Sequence, residues 1–208
     1  MQLVAENLVL SRGGRVIVDR LSFKLEGGEA LMLTGPNGSG KTTLLRALAG
    51  FLAPTGGTIC LEAEENREGS ELVHFVGHLD GIKAQLTVKE NLDFWSAYLD
   101  GGGGRDRGAS IHAALERFGL EDLADIPAGY LSAGQKRRLG LARLAVAQRP
   151  LWLLDEPTAS LDAASVARLV AAIDEHVTNG GIAVVTTHVP VPLARFREIR
   201  LGPVEGGQ

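Results

Sequence analysis

Apolar runs separated by glycine pairs dominate the first 80 residues of the chain. The runs are rich in Val, Leu, Ile and Phe, which is typical of β-strands, and the glycine pairs are typical of the turns between strands. We therefore predict strands at residues 3–10, 15–25, 30–34, 58–61 and 73–76. The third of these segments is apolar at successive positions, which favours a strand buried on both faces.

Helical spacing of apolar residues is the main pattern in the rest of the chain. The predicted helices cover residues 42–50, 88–98, 111–118, 133–147 and 163–176, and further strands cover 151–154 and 182–187. Strands that alternate with helices indicate a parallel sheet. We interpret residues 1–208 as a single domain with an α/β core, an antiparallel β subdomain and a helical insert at residues 86–150. No internal repeat is visible.

Composition narrows the class of protein. The chain has 208 residues, of which 45% are hydrophobic, and this content argues against disorder. A net charge of −4 argues against a nucleic-acid partner, and the single cysteine, Cys60, excludes an intramolecular disulfide. No apolar segment reaches the length of a membrane span, and the first ten residues carry no basic leader. We expect a cytoplasmic protein that reaches a membrane only through a partner.

A glycine-rich loop follows the third predicted strand and opens the first predicted helix. It reads Gly35, Pro36, Asn37, Gly38, Ser39, Gly40, Lys41, Thr42 and Thr43. The glycines allow the backbone N–H groups to converge on a phosphate, and the start of the helix adds its positive dipole end. Lys41 is expected to reach the β- and γ-phosphates of ATP, and the Thr42 hydroxyl to ligate Mg²⁺. The fold class is therefore α/β, with a P-loop NTPase (RecA-like) core.

Acidic and histidine side chains follow two of the later predicted strands. Asp155 and Glu156 end the strand at residues 151–154, and His188 ends the strand at residues 182–187. Such strand ends open onto the ligand side of an α/β sheet. We expect Asp155 to hold the Mg²⁺ shell and Glu156 to act as general base on the attacking water. His188 is placed to donate a hydrogen bond to the γ-phosphate.

Residues 131–135, with the sequence Leu-Ser-Ala-Gly-Gln, form a second candidate anion site. The Ser132 hydroxyl and the backbone amides of Gly134 and Gln135, which lie at the start of a predicted helix, can together bind a phosphate. A nucleotide already held by the P-loop has little need of a second site in the same chain. Two chains that meet head to tail would each complete the other's site, which predicts a homodimer.

These motifs, in this order, resemble the ATP-binding cassette (ABC) ATPase family over nearly the whole chain. The resemblance implies that residues 160–162 are the D-loop, that His188 is the switch histidine, and that a dimer holds two ATP molecules. Residues 76–92 and 131–143 are similar to the cytochrome c maturation ATPases of that family, CcmA. This closer resemblance implies the ATPase of a haem exporter, bound to an integral membrane permease (CcmB-like) at the cytoplasmic face of the bacterial inner membrane.

Two positions depart from the general cassette pattern. Where most cassettes carry an aromatic residue that stacks on adenine, residues 12–15 read Arg-Gly-Gly-Arg. Counting back from Thr87, the usual Q-loop glutamine falls at His78, and Gln85 is too close to Thr87 to replace it. We expect His78 to contact the Mg²⁺ shell and to make the activity sensitive to pH.

Other functions fit the motifs less well. A P-loop GTPase or kinase would leave residues 131–135 without a purpose, and no Asn-Lys-x-Asp motif is present. A soluble ABC ATPase of translation or DNA repair typically has two cassettes or a long coiled coil, and neither is visible. This soluble class stays open as an alternative, as does the ATPase subunit of another ABC transporter.

Overall fold

The computed structural model of the protein describes residues 1–62, 72–99, 107–188 and 191–202. The strands are β1 (Gln2–Arg12), β2 (Arg15–Glu26), β3 (Ala30–Thr34), β4 (Gly56–Glu62), β5 (Val73–Val76), β6 (Leu151–Asp155), β7 (Ile182–Thr186) and β8 (Arg197–Arg200). The helices are α1 (Lys41–Leu48), α2 (Val88–Leu99), α3 (Arg107–Phe118), α4 (Ala133–Val146) and α5 (Ala163–Thr178).

The strands form two sheets. Three strands in the order β2-β1-β4 pair antiparallel, and five strands follow the order β5-β6-β7-β3-β8. In the larger sheet, β7 pairs in parallel with both β6 and β3. Every residue of β6 and β7 is buried, as expected for strands with an apolar sequence at the centre of a parallel sheet. The predicted α/β class with an antiparallel β subdomain is therefore confirmed.

Two compact units share the chain. The first comprises Met1–Phe75, Pro150–Glu156 and Ile173–Gln208, and the second comprises Val76–Arg149 and Pro157–Ala172. The first unit has an apolar core to which β1, β3, α1, β6 and β7 all contribute buried leucine or valine side chains. The second unit contains α2, α3 and α4, and its buried side chains include Leu92, Leu115, Phe118, Leu139 and Leu144. The subdomain boundary at residues 86–150 stays a prediction.

The sequence pattern did not predict strand β8. Its residues, Arg-Glu-Ile-Arg, include a single apolar side chain, so they lack a strong strand pattern. The strand forms at the edge of the sheet by parallel pairing with β3, where Leu33 lies opposite Ile199. Charged side chains are common on edge strands because they discourage pairing with other chains.

None of the described helices combines the length and the apolar composition needed to span a membrane.

Candidate nucleotide-binding and hydrolysis site

The glycine-rich loop connects β3 to α1 in the first unit. Gly40 precedes α1 with a φ of 98°, a left-handed conformation that favours glycine. A Cβ atom at Gly40 would lie 2.6 Å from Cγ2 of Ile17, so the loop packs closely against β2. Substitution of Gly40 would therefore both strain the backbone and displace the Ile17 side chain of β2.

Lys41 is folded back onto the loop. Its Nζ atom donates to the carbonyl oxygens of Gly35 at 2.8 Å and Pro36 at 3.2 Å, and the residue is buried. No side chain caps the N-terminus of α1, which leaves its first N–H groups available to an anion. The buried Oγ atom of Ser39 has no hydrogen-bond partner among the described residues. Together, these donors fit a phosphate group.

The other predicted loop residues differ in exposure. Three residues at the tip of the loop are exposed: Pro36, Asn37 and Gly38. On the first turn of α1, Thr42 is also exposed and Thr43 is half-buried. The structure thus presents the tip of the loop and the start of the helix at the protein surface, where a nucleotide could reach them.

Thr42 and Asp155 lie within hydrogen-bonding distance. The Thr42 hydroxyl donates to both carboxylate oxygens of Asp155, at 2.8 and 3.1 Å. Oxygen ligands of this kind are those that Mg²⁺ prefers, so the two residues fit the predicted metal site. The fully buried Thr186 donates to Oδ1 of Asp155 at 2.7 Å. Thr186 was not among the predicted site residues, although its place at the end of an apolar strand was a signal for it.

Glu156 and His188, both in the first unit, are in contact through their side chains. Nδ1 of His188 lies 2.8 Å from Oε2 of Glu156. Glu156 has a φ of 45°, which is uncommon for a residue other than glycine, and its backbone N–H donates to the Thr186 hydroxyl at 2.9 Å. The partly buried carboxylate is therefore oriented by an imidazole while its backbone is fixed by a threonine on the neighbouring strand.

His188 of this pair lines an open pocket of about 560 Å³. Gly35 and Pro36 of the loop line it together with Thr187 and His188. The start of the P-loop and His188, which follows β7, thus face one space.

Ser132 begins α4 in the second unit as the N-cap of a capping box. Its Oγ atom accepts from the N–H of Gln135 at 3.2 Å, and the Gln135 side chain accepts from the Ser132 N–H at 2.8 Å. Ser132 is exposed, so its hydroxyl group can reach a ligand at the surface. The Gln135 side chain fixes the serine, whereas the serine hydroxyl and the N–H groups of Ala133 and Gly134 are better placed to bind an anion.

Gly134 also allows a close approach of the predicted D-loop. A Cβ atom at Gly134 would lie 2.9 Å from the carbonyl oxygen of Ser160. Ser160 has a left-handed φ of 65°. His78 lies in the same unit and is exposed, and its contribution to a metal site stays a prediction.

Known proteins are similar to this chain over most of its length. The model of the family described as ABC transporter matches residues 18–159. The cytochrome c biogenesis ATP-binding export protein CcmA of Rhizobium johnstonii is 46% identical, with 97% of this chain and 94% of the relative covered. The protein of the same name from Cereibacter sphaeroides is 49% identical, with coverages of 98% and 90%.

Solved structures share the fold at lower identity. A putative ABC transporter ATP-binding protein from Pyrococcus furiosus has a TM-score of 0.82 at 23% identity, covering 97% of this chain and 98% of the other. A dimeric ATP-binding cassette in a post-hydrolysis state bound to ADP and Pi has a TM-score of 0.81 at 24% identity, with coverages of 96% and 94%.

The fold and the P-loop define an ATP-binding cassette, the class to which the sequence motifs pointed. The chain belongs to the ABC transporter family and, within it, to the group of the cytochrome c biogenesis ATP-binding export proteins, CcmA. The prediction of an ATP-hydrolysing subunit that energises an ABC transporter is thereby confirmed.

Proposed function

We propose that the protein hydrolyses ATP to drive a CcmAB-type haem export complex of c-type cytochrome biogenesis. The observation that carries the proposal is the pair of carboxylates at the end of β6, one bound to Thr42 of the P-loop and the other to His188. The names of the relatives support the choice of cytochrome c biogenesis over other transport systems.

Binding of ATP is assigned to the P-loop of the first unit. The backbone N–H groups of residues 35–43 other than Pro36, together with the Lys41 ammonium, bind the β- and γ-phosphates, since charge-assisted hydrogen bonds are the strongest available here. Thr42 and Asp155 would hold Mg²⁺, and this ion supplies charge neutralisation at the phosphates when it is bound. Lys41 exchanges its carbonyl partners for phosphate oxygens.

Hydrolysis is assigned to Glu156 and His188. One carboxylate oxygen of Glu156 accepts a proton from the attacking water, while Oε2 stays paired with His188. This pairing restricts the rotation of the carboxylate and thereby orients its free oxygen. The imidazole also provides a donor for the γ-phosphate, on which negative charge increases during the reaction.

A homodimer completes each site in this proposal. Ser132 and Gly134 of one chain bind the γ-phosphate of the nucleotide held by the other chain, so ATP stabilises the closed dimer. Loss of the γ-phosphate removes these contacts and the dimer opens. The dimeric cassette with ADP and Pi, which shares the fold, supports this arrangement.

An aromatic surface on α2 is the proposed contact for the membrane permease. Phe94 and Tyr98 stack with their centroids 6.1 Å apart, and Trp95 packs edge-on against both. Tyr98 is 69% exposed, and Leu79 in the same unit is 85% exposed. Several large apolar side chains exposed on one unit, such as these, are typical of a surface that binds another protein. A CcmB-like permease would hold the protein peripherally at the cytoplasmic face of the bacterial inner membrane.

Complementation tests the proposal directly. A strain that lacks its own CcmA protein is supplied with this chain or with its Glu156→Gln variant, and covalently bound haem in c-type cytochromes is measured. We expect recovery with the wild-type chain and none with the variant, because the glutamine amide cannot accept the proton from the attacking water. Equal recovery with both chains would contradict an energising role.

Fractionation separates the alternatives. When the chain is co-expressed with a CcmB-like permease, it should sediment with membranes, and Tyr98→Ala together with Leu79→Ala should release it. If the chain sediments with membranes when the CcmB-like permease is left out, or only when an unrelated permease is supplied, the result would favour another transporter. If the chain stays in the soluble fraction with every permease tested, the result would favour a soluble ABC ATPase.

A further inference from the structure

Arg137, on the second turn of α4, is a buried arginine that binds one carboxylate and two backbone carbonyl groups. Its side chain is 5% exposed and forms an ion pair of 2.7 Å with Oδ1 of Asp80. Its Nη1 atom also donates to the Gly77 carbonyl at 2.9 Å, and its Nε atom donates to the Pro157 carbonyl at 3.2 Å. One guanidinium thus connects α4 with two separate segments of the second unit.

Gly140 permits this arrangement. A Cβ atom there would lie 2.8 Å from both Cβ and Oδ1 of Asp80, so the aspartate packs directly against the backbone of α4. Arg143, one turn further along, is also buried; burial lowers its pKa to about 10, and nearby Asp80 opposes this effect. The Arg143 guanidinium lies 5.0 Å from the Trp95 ring centroid on α2.

Burial of the charged groups of Arg137, Arg143 and Asp80 costs free energy of desolvation, and their mutual attraction offsets this cost only in part. Desolvation of an ion costs several kcal/mol, and an apolar replacement for a buried pair is often as stable. Stability alone therefore does not explain Arg137. What distinguishes this arginine is the position of its acceptors along the chain, since Pro157 follows Glu156 directly and Gly77 precedes His78 directly.

Glu156 needs support on both sides. Its φ of 45° is strained for a residue with a side chain, and such conformations persist only where the surroundings hold them. The Thr186 hydroxyl accepts from the N–H of Glu156, and Arg137 binds the carbonyl of the next residue. Removal of the second contact would leave the chain after Glu156 free to relax.

We propose that Arg137 is a positioning residue for the general base: by holding the Pro157 carbonyl, it keeps Glu156 in its strained conformation. Asp80 and the Gly77 carbonyl fix the guanidinium for this purpose. Arg137 lies on the helix that Ser132 begins. A movement of this helix when Ser132 binds a nucleotide therefore also moves the two segments that Arg137 contacts, at Gly77 and at Pro157. The inference rests on the proposed role of Glu156 in ATP hydrolysis.

Steady-state hydrolysis by the full-length chain, assembled with its membrane subunit, tests the proposal. Arg137→Gln should lower kcat by about ten- to a hundredfold, because small displacements of a catalytic group have effects of this size. The KM for ATP should change by less than about threefold, since the P-loop is untouched. Gly140→Ala should act in the same direction, because the new methyl group displaces Asp80 while every charge is kept.

Arg138→Gln is the matched control. Arg138 neighbours Arg137 on α4 and also donates to carbonyl oxygens, those of Phe118 at 3.2 Å and Gly119 at 2.6 Å, but these acceptors lie at the end of α3. Its substitution should lower the melting temperature, as Arg137→Gln does, with a smaller loss of kcat. A double variant, Asp80→Asn with Arg137→Gln, should lose less than the product of the two single effects, because a neutral hydrogen-bonded pair can form.

The outcomes are distinguishable. If Arg137→Gln and Gly140→Ala keep the wild-type kcat while Glu156→Gln abolishes turnover, the positioning role is wrong and the proposed function stands. Losses of kcat that are equal in Arg137→Gln and Arg138→Gln would likewise overturn it. If Arg137→Gln does not fold, Gly140→Ala decides alone. Normal turnover by Glu156→Gln would instead contradict the proposed function.

Discussion

Nδ1 of His188 lies 2.8 Å from Oε2 of Glu156, and the two residues follow neighbouring parallel strands. The contact joins the ends of β6 and β7 across 32 positions of sequence. Because Thr186 fixes the backbone of Glu156 at the same place, the carboxylate has little freedom to turn away. This geometry is typical of a general base whose orientation is set by its neighbours.

Glu156→Gln should remove hydrolysis and keep nucleotide binding. The amide cannot accept the proton from water, and general-base catalysis is worth about 10²–10⁴-fold in rate. Phosphate release measures the first effect and binding of a fluorescent ATP analogue the second. His188→Ala should give a smaller loss of rate, because Glu156 stays available but less well oriented. A greater loss in His188→Ala than in Glu156→Gln would reverse the two roles.

Ser132→Arg should spare ATP binding by the isolated chain and abolish hydrolysis. The large side chain blocks the surface that a partner's nucleotide would approach, whereas the P-loop lies elsewhere in the sequence. Loss of the N-cap also destabilises α4 by about 1 kcal/mol. Ser132→Asn separates these effects, since asparagine caps a helix well but lacks the hydroxyl group. Normal turnover in Ser132→Arg would overturn the composite-site model.

The P-loop, the apolar strands and the acidic pair could be predicted because each depends on a local pattern. Gly40 and Lys41 stand between an apolar strand and a helix, and Asp155 ends a strand that is apolar throughout. The parallel order of β6 and β7 follows from the alternation of strands with helices. In such elements the local pattern and the tertiary environment favour the same structure.

Arg137 and Asp80 could not be assigned in this way. An arginine on a helix usually faces solvent, whereas Arg137 is buried and paired with Asp80, which packs closely against Gly140 of the same helix. Strand β8 was missed for a related reason, since its charged sequence becomes a strand only by pairing with β3. Contacts between residues that are distant in sequence decide all of these cases.

His78→Gln should flatten the pH profile of hydrolysis between pH 6 and 8. An imidazole can change its charge near neutral pH, whereas an amide cannot. His78 is exposed, so the substitution should leave the fold intact. The comparison is made at saturating ATP, with His112→Gln as a control because His112 is an exposed histidine of the same unit. Identical profiles for His78→Gln and the wild type would show that His78 does not act on the reaction.

Acid should destabilise the protein through His176. Burial holds the pKa of its ring down at about 4, from an ordinary value of 6.5, and the hydrogen bond to the Ile182 carbonyl only partly offsets this. The unfolded chain therefore binds one more proton than the folded chain between pH 6.5 and 4. As the pH falls through this window, the free energy of unfolding should decrease, by on the order of 3 kcal/mol for this group.

His176→Phe isolates that contribution. The His176 ring stacks on Trp152 with centroids 4.0 Å apart and an interplanar angle of 6°, and a phenyl ring can keep this stacking while it has no proton to bind. Carboxylates that titrate at the same pH are common to both proteins and cancel in the difference. Urea unfolding at several pH values should therefore show a smaller slope for the variant from pH 6.5 down to 4. Equal slopes would mean that the buried ring takes up its proton in the folded state as readily as in the unfolded chain.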